Sequence, residues 1–102
     1  MRLTNYVLKD GIPAPEPDRS KWFRFFGSPA RWHIKKKVGP YEVSTVFLAM
    51  DHSNNPKGPP ILWETMVFGK GPLEGEQRRC SGTQEQAEAM HQEMVQWVRG
   101  RL

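Results

Sequence analysis

Residues 31–38 alternate with period two: Trp32, Ile34 and Val38 fall on one side, and Arg31, His33, Lys35 and Lys37 on the other. Lys36 interrupts the apolar side, so this strand runs near an edge with one end overhanging the core. After the Gly39-Pro40 turn, residues 42–50 read differently. Val43, Phe47 and Ala49 share one face, while Val46, Leu48 and Met50 share the other. Apolar residues on both faces predict a central strand covered on both sides, at least over its second half. A turn-rich connector with Asn54-Asn55-Pro56 and Gly58-Pro59-Pro60 leads to a further strand over 61–68, and these two strands form an antiparallel hairpin with a long loop. A short strand is also expected at 77–80.

The two ends of the chain frame this sheet. Residues 4–8 read as a strand closed by Asp10-Gly11, and the alternating prolines Pro13, Pro15 and Pro17 force the next stretch to run extended across the surface. Asp18 fits a helix N-cap, with a two-turn helix over 20–26 that is held to the core by Trp22 and Phe26, four residues apart. At the other end, Thr83 and Gln86 form a capping-box pair. Ala87, Met90, Met94, Trp97 and Val98 then recur at helical spacing, opposite Glu85, Glu88, Gln92 and Gln96. The expected architecture is α+β: an antiparallel sheet of about four strands, a short N-terminal helix, and a C-terminal amphipathic helix packed on one face. Residues 1–102 are expected to form a single domain.

The composition suits such a fold. Of the 102 residues 37% are hydrophobic, including four Trp and five Phe, which is too apolar for a disordered chain. A single cysteine, Cys80, excludes an internal disulfide framework and fits a reducing, cytoplasmic compartment. No apolar run is long enough to span a bilayer, and no signal-peptide stretch opens the chain. The formal charge of +4 is uneven: residues 1–40 carry nine Lys and Arg against three Asp and Glu, whereas 41–102 carry six against eight. The cations at Arg19, Lys21, Arg24, Arg31 and Lys35–Lys37 suit a polyanion, an acidic protein, or a solvated sheet edge protected by lysines.

The run Ser44-Thr45-Val46-Phe47-Leu48, then Asp51-His52, followed by Pro59-Pro60 and Glu64-Thr65-Met66-Val67-Phe68-Gly69, resembles a family of small phage and prophage proteins. Their pattern reads S-T-V-F-L-x-x-D-H, a Gly-rich loop, then P-P-x-x-x-E-T-M-V-F-G. The likeness extends to the Tyr6-Val7-Leu8 strand, the Pro13/Pro15 segment and the Trp22/Phe26 pair. It implies an origin in a mobile element and supplies no activity. The chain departs from the pattern with Asn54, Asn55 and Lys57 in the loop and with its basic run at Lys35–Lys37, so a basic-patch function does not carry over from the family.

Candidate chemistry centres on Asp51, His52 and Glu64, which the hairpin places near one another. Carboxylates on adjacent strands hold Mg²⁺ in hydrolases. The Glu-x-Lys of one nuclease type is broken here, because Met66 stands where the lysine belongs. The alternative is a polar network: Asp51 accepting loop N–H bonds, His52 on an aromatic ring, and Glu64 paired with Arg78 or Arg79. His91 reads as a half-buried structural histidine and Cys80 as a small apolar filler. No cofactor is implied, since neither a P-loop nor a dinucleotide fingerprint occurs.

Binding is the stronger expectation. Phe23 and Phe25 cannot both turn inward beside Trp22 and Phe26 on a two-turn helix. Exposed rings among Arg24, Arg31, Lys35 and Lys37 describe a contact surface, with Trp22 and Phe23 as its anchors. The leading reading is a non-enzymatic phage-type accessory protein that binds a protein partner, a host or defence component or a second copy of itself. The alternatives are a nucleic-acid-binding protein using the basic N-terminal half, and a metal-dependent hydrolase at Asp51, His52 and Glu64.

Overall fold

The computed structural model describes residues 4–53 and 57–102. The Asn54-Asn55-Pro56 turn lies outside the described residues. Eight elements follow in order: β1 (Tyr6–Lys9), β2 (Ile12–Pro15), α1 (Arg19–Phe26), β3 (His33–Val38), β4 (Tyr41–Phe47), β5 (Trp63–Gly69), β6 (Gln77–Cys80) and α2 (Gln84–Arg99). Strands β3 to β6 form a four-stranded antiparallel meander in chain order. The fold is α+β, as the patterning implies.

Register decides which face each residue occupies. Val43 lies opposite Val67, Thr45 opposite Thr65, and Phe47 opposite Trp63; α2 lays its apolar stripe on this face. Ala87 and Met90 close over Phe47 and Trp63, and Met94, Val95 and Val98 over Val43 and Val67. The helix begins where the sequence placed it. Thr83 Oγ1 accepts from the Gln86 N–H, and Gln86 Oε1 accepts from the Thr83 N–H at 2.8 Å. Between the two apolar clusters runs a buried polar chain: Thr65 Oγ1 lies 2.6 Å from Thr45 Oγ1, which lies 2.7 Å from His91 Nδ1. All three residues are buried, so each hydroxyl has to find its partner inside the protein.

Three expectations are corrected here. First, β4 is covered on one face only. Its second face, Glu42, Ser44 and Val46, continues into Glu64, Met66 and Phe68 of β5, and Phe68 is 48% exposed. The strand also ends at Phe47. Ala49 takes a left-handed backbone conformation (φ 63°), which turns the chain out of the sheet after Leu48. Second, the proline-rich stretch does more than run extended across the surface. As β2 it pairs with β1 around Asp10-Gly11 in a separate two-stranded sheet, an arrangement open to prolines because β2 is an edge. This hairpin meets the rest through the bridge Asn5–Met50 and a hydrogen bond from the Tyr6 N–H to the Ala49 carbonyl. Third, Trp97 is only half-buried, with the Arg101 guanidinium 4.0 Å above its ring. Val95 and His91 occupy the core instead, and His91 is 2% exposed rather than half-buried.

The aromatic surplus is largely absorbed. Trp22, Phe47 and Trp63 are buried, and Phe25 and Trp32 pack edge-on against Phe47 and Trp63 respectively. Each buried indole satisfies its N–H on a backbone carbonyl, Trp22 on Ala49 at 3.0 Å and Trp63 on Gly82 at 2.7 Å.

Candidate functional site

The open face of the sheet is built by strand alternation. On β3 the consecutive lysines divide, because successive side chains point to opposite faces. Lys35 lies opposite Ser44 and Lys37 opposite Glu42 on the open face, while Lys36 lies opposite Val43 on the α2 face. The run Lys35–Lys37 is therefore split between the two faces, as its period-two pattern implies. The open face carries Val46, Met66 and Phe68 at its middle, with Lys35 and Lys37 on one flank and Arg79 on the other. Its charges are partly paired: Arg79 Nε donates to Glu64 Oε2 at 2.8 Å, and Lys35 Nζ lies 4.0 Å from Glu42.

At one end of this face the connection from α1 to β3 forms an open groove of about 430 Å³ lined by Phe26, Ser28, Arg31, His33, Ser44 and Val46. Arg31 is fixed there from two sides. Its Nε donates to the Phe47 carbonyl at 3.0 Å, and its guanidinium stacks 3.9 Å from the centre of the Phe26 ring. Neither Nη makes a hydrogen bond or ion pair among the described residues. His33 Nε2 lies 2.7 Å from Ser44 Oγ. Burial, then the nearby charges of Lys35 and Arg31, hold the His33 pKa below its ordinary value, against a smaller opposing effect of Glu42.

The other expected contact residues scatter. Trp22 is 6% exposed and so belongs to the core, not to an accessible surface; its indole N–H needs a partner and finds the Ala49 carbonyl. Phe23 is 65% exposed and leans edge-on against Trp22 at 5.2 Å, with Arg24 exposed beside it. Phe23 stands three residues before Phe26, so the same flank of α1 leads down to the groove.

Asp51, His52 and Glu64 do not assemble. Asp51 Oδ1 accepts from the Ser53 and Ile61 N–H groups at 2.8 and 3.0 Å, closing the ends of the connector. His52 is exposed, and Glu64 points to the open face and pairs with Arg79. Among the described residues no three His, Cys, Asp or Glu side chains gather as a metal site. Cys80 is half-buried, and burial raises its pKa against a weaker lowering by a hydrogen bond from Gly82, the reverse of an activated thiol. A second hollow, about 540 Å³, lies between the β1–β2 turn and the start of α2 and is lined by Asp10, Glu85 and Glu88 among others. No described helix is long and apolar enough to cross a membrane.

Sequence reasoning missed Phe68 and Met66 as surface residues. The signal was present in the second apolar face of the central strands, which reads as burial unless the covering layer is known to be missing. Comparison with protein-family models, curated proteins and solved structures returned no match.

Proposed function

We propose that this chain is a non-enzymatic accessory protein of phage or prophage type that binds a protein partner through the open face of its sheet. The observation that carries this is the uncovered second face of β4 and β5. Val46, Met66 and Phe68 are apolar where a free surface would favour polar residues, and they are rimmed by Lys35, Lys37 and the Glu64–Arg79 pair. An apolar centre inside a charged rim is the anatomy of a protein interface. The phage-type origin rests on the sequence resemblance, and a host or defence component is the kind of partner that origin suggests; a second copy of the chain would cover the same residues.

The test is comparative capture from nuclease-treated host lysate, with light scattering to detect self-association. A specific partner, or a dimer, should be lost in Phe68→Asp and Met66→Lys and kept in Lys36→Gln on the opposite face. Capture unaffected by Phe68→Asp and Met66→Lys would refute the reading.

Nucleic-acid binding is the second reading, favoured by Phe23 standing exposed beside Arg24, with Arg19 one turn earlier. It predicts affinity for single strands that falls steeply with salt, by roughly thirtyfold over a two- to fourfold rise for about five phosphate contacts. An aromatic-centred protein interface responds weakly to the same change.

A further inference from the structure

We propose that the groove between the α1–β3 connection and the open sheet face is a carboxylate-binding subsite, in which the Nη edge of Arg31, flanked by His33 and Ser44, receives an Asp or Glu side chain of the partner protein. This inference rests on the docking face proposed above and names the chemistry of its occupant.

Arg31 is held in place by its own chain. A surface arginine ordinarily loses side-chain freedom on binding an anion, which weakens the contact. Here the side chain is already restrained by the Nε–H bond to Phe47 and by stacking on Phe26. Arg31 lines the open groove, and its remaining guanidinium edge makes no hydrogen bond or ion pair among the described residues. Two parallel N–H groups on one planar edge match the two oxygens of a carboxylate. The neighbours agree with an acceptor ligand: the Ser44 hydroxyl and the His33 ring lie 2.7 Å apart on the groove wall, and Lys35 stands next along β3 on the same face.

Charge also discriminates among anions. Lys35 is partly answered by Glu42 at 4.0 Å, whereas Arg31 has no ion pair among the described residues. One unpaired cation matches a monoanion. A dianionic phosphate would bring a second charge toward Glu42.

The probes are sodium acetate and a hexaglutamate peptide, titrated into the full chain at low salt while the Arg31 side-chain Nε–H and Ser44 amide signals are followed by nuclear magnetic resonance. Saturable shifts at both positions are expected. The hexaglutamate affinity should fall about tenfold or more in Arg31→Lys, which keeps the charge and removes the paired donors. His33→Glu keeps the Arg31 clamp and places a competing carboxylate in the groove, so it should abolish the shifts even if Arg31→Lys folds poorly. Lys36→Gln, on the other face, should leave them unchanged.

Absence of saturation would overturn the proposal, as would an equal loss in Lys36→Gln, which would mean diffuse attraction. A tighter response to inorganic phosphate or to oligothymidylate would overturn it in favour of a phosphate ligand. If capture is lost in Phe68→Asp but acetate and hexaglutamate leave Arg31 unmoved, the subsite falls and the docking face stands. If Arg31 responds but capture ignores Phe68→Asp, the docking face falls.

Discussion

Replacing Thr45 with valine tests the buried polar chain that divides the core. Thr45 is fully buried, as is Thr65 across the strand pair, and its hydroxyl is the middle link, 2.6 Å from Thr65 and 2.7 Å from His91. Whichever tautomer His91 adopts, the Thr45 hydroxyl has one partner on each side. Valine keeps the shape and deletes both bonds at once, leaving a hydroxyl and a ring nitrogen unpartnered. Each stranded group costs about 1–3 kcal/mol, and the added methyl returns less than about 1 kcal/mol. Thr45→Val should therefore lose about 1–6 kcal/mol, a large share of the roughly 5–15 kcal/mol total expected of a small domain. Thr65→Val removes only the terminal link and should lose about 1 kcal/mol. The double variant should be no worse than Thr45→Val, because it deletes one of the groups that the single variant strands. Urea unfolding followed by tryptophan fluorescence measures all three. A loss below about 0.5 kcal/mol for Thr45→Val, or strict additivity in the double variant, would refute the linked chain.

Burial holds the His91 pKa below its ordinary value of 6.5, so the unfolded chain takes up this proton first. The stability conferred by the neutral ring is complete above that value and is lost as pH falls toward the lower folded value. His33 acts in the same direction, so the urea midpoint should drop as pH falls below about 6.5, and His91→Gln and His33→Gln should each flatten that drop; an unchanged slope in His91→Gln would contradict this. Ala49→Val should cost more than about 2 kcal/mol in the same assay, because a β-branched side chain resists the left-handed backbone that presents the Ala49 carbonyl to Trp22 and Tyr6. Trp97→Ala should cost only about 1–2 kcal/mol, in keeping with a half-exposed ring under Arg101; a loss of about 3–5 kcal/mol would mean it is packed as a core residue.

What could be read from the chain alone were its local signals. The capping box at Thr83 and Gln86, the Asp18 cap, the period-two run of β3 and the stripe of α2 each depend on residues a few positions apart, and each forms where those residues stand. The loop-closing role of Asp51 and the Glu64–Arg79 pair were also legible, because the hairpin that brings them into place follows from the two apolar runs and the connector between them.

Tertiary structure decided the rest, because exposure depends on neighbours far along the chain. Trp22 and Phe23 are adjacent on one helix, yet one is sealed by a carbonyl 27 residues away and the other is left in solvent. The period-two pattern already divides the three lysines of β3, but only the pairing with β4 and the position of α2 show that Lys36 lies on the α2 face and Lys35 and Lys37 on the open one. Val46, Met66 and Phe68 carry the pattern of buried residues, and only the position of α2, which covers one face and leaves the other open, turns them into a surface. Arg31 reads as one more cation until the fold sets Phe26 beneath it and the Phe47 carbonyl beside it.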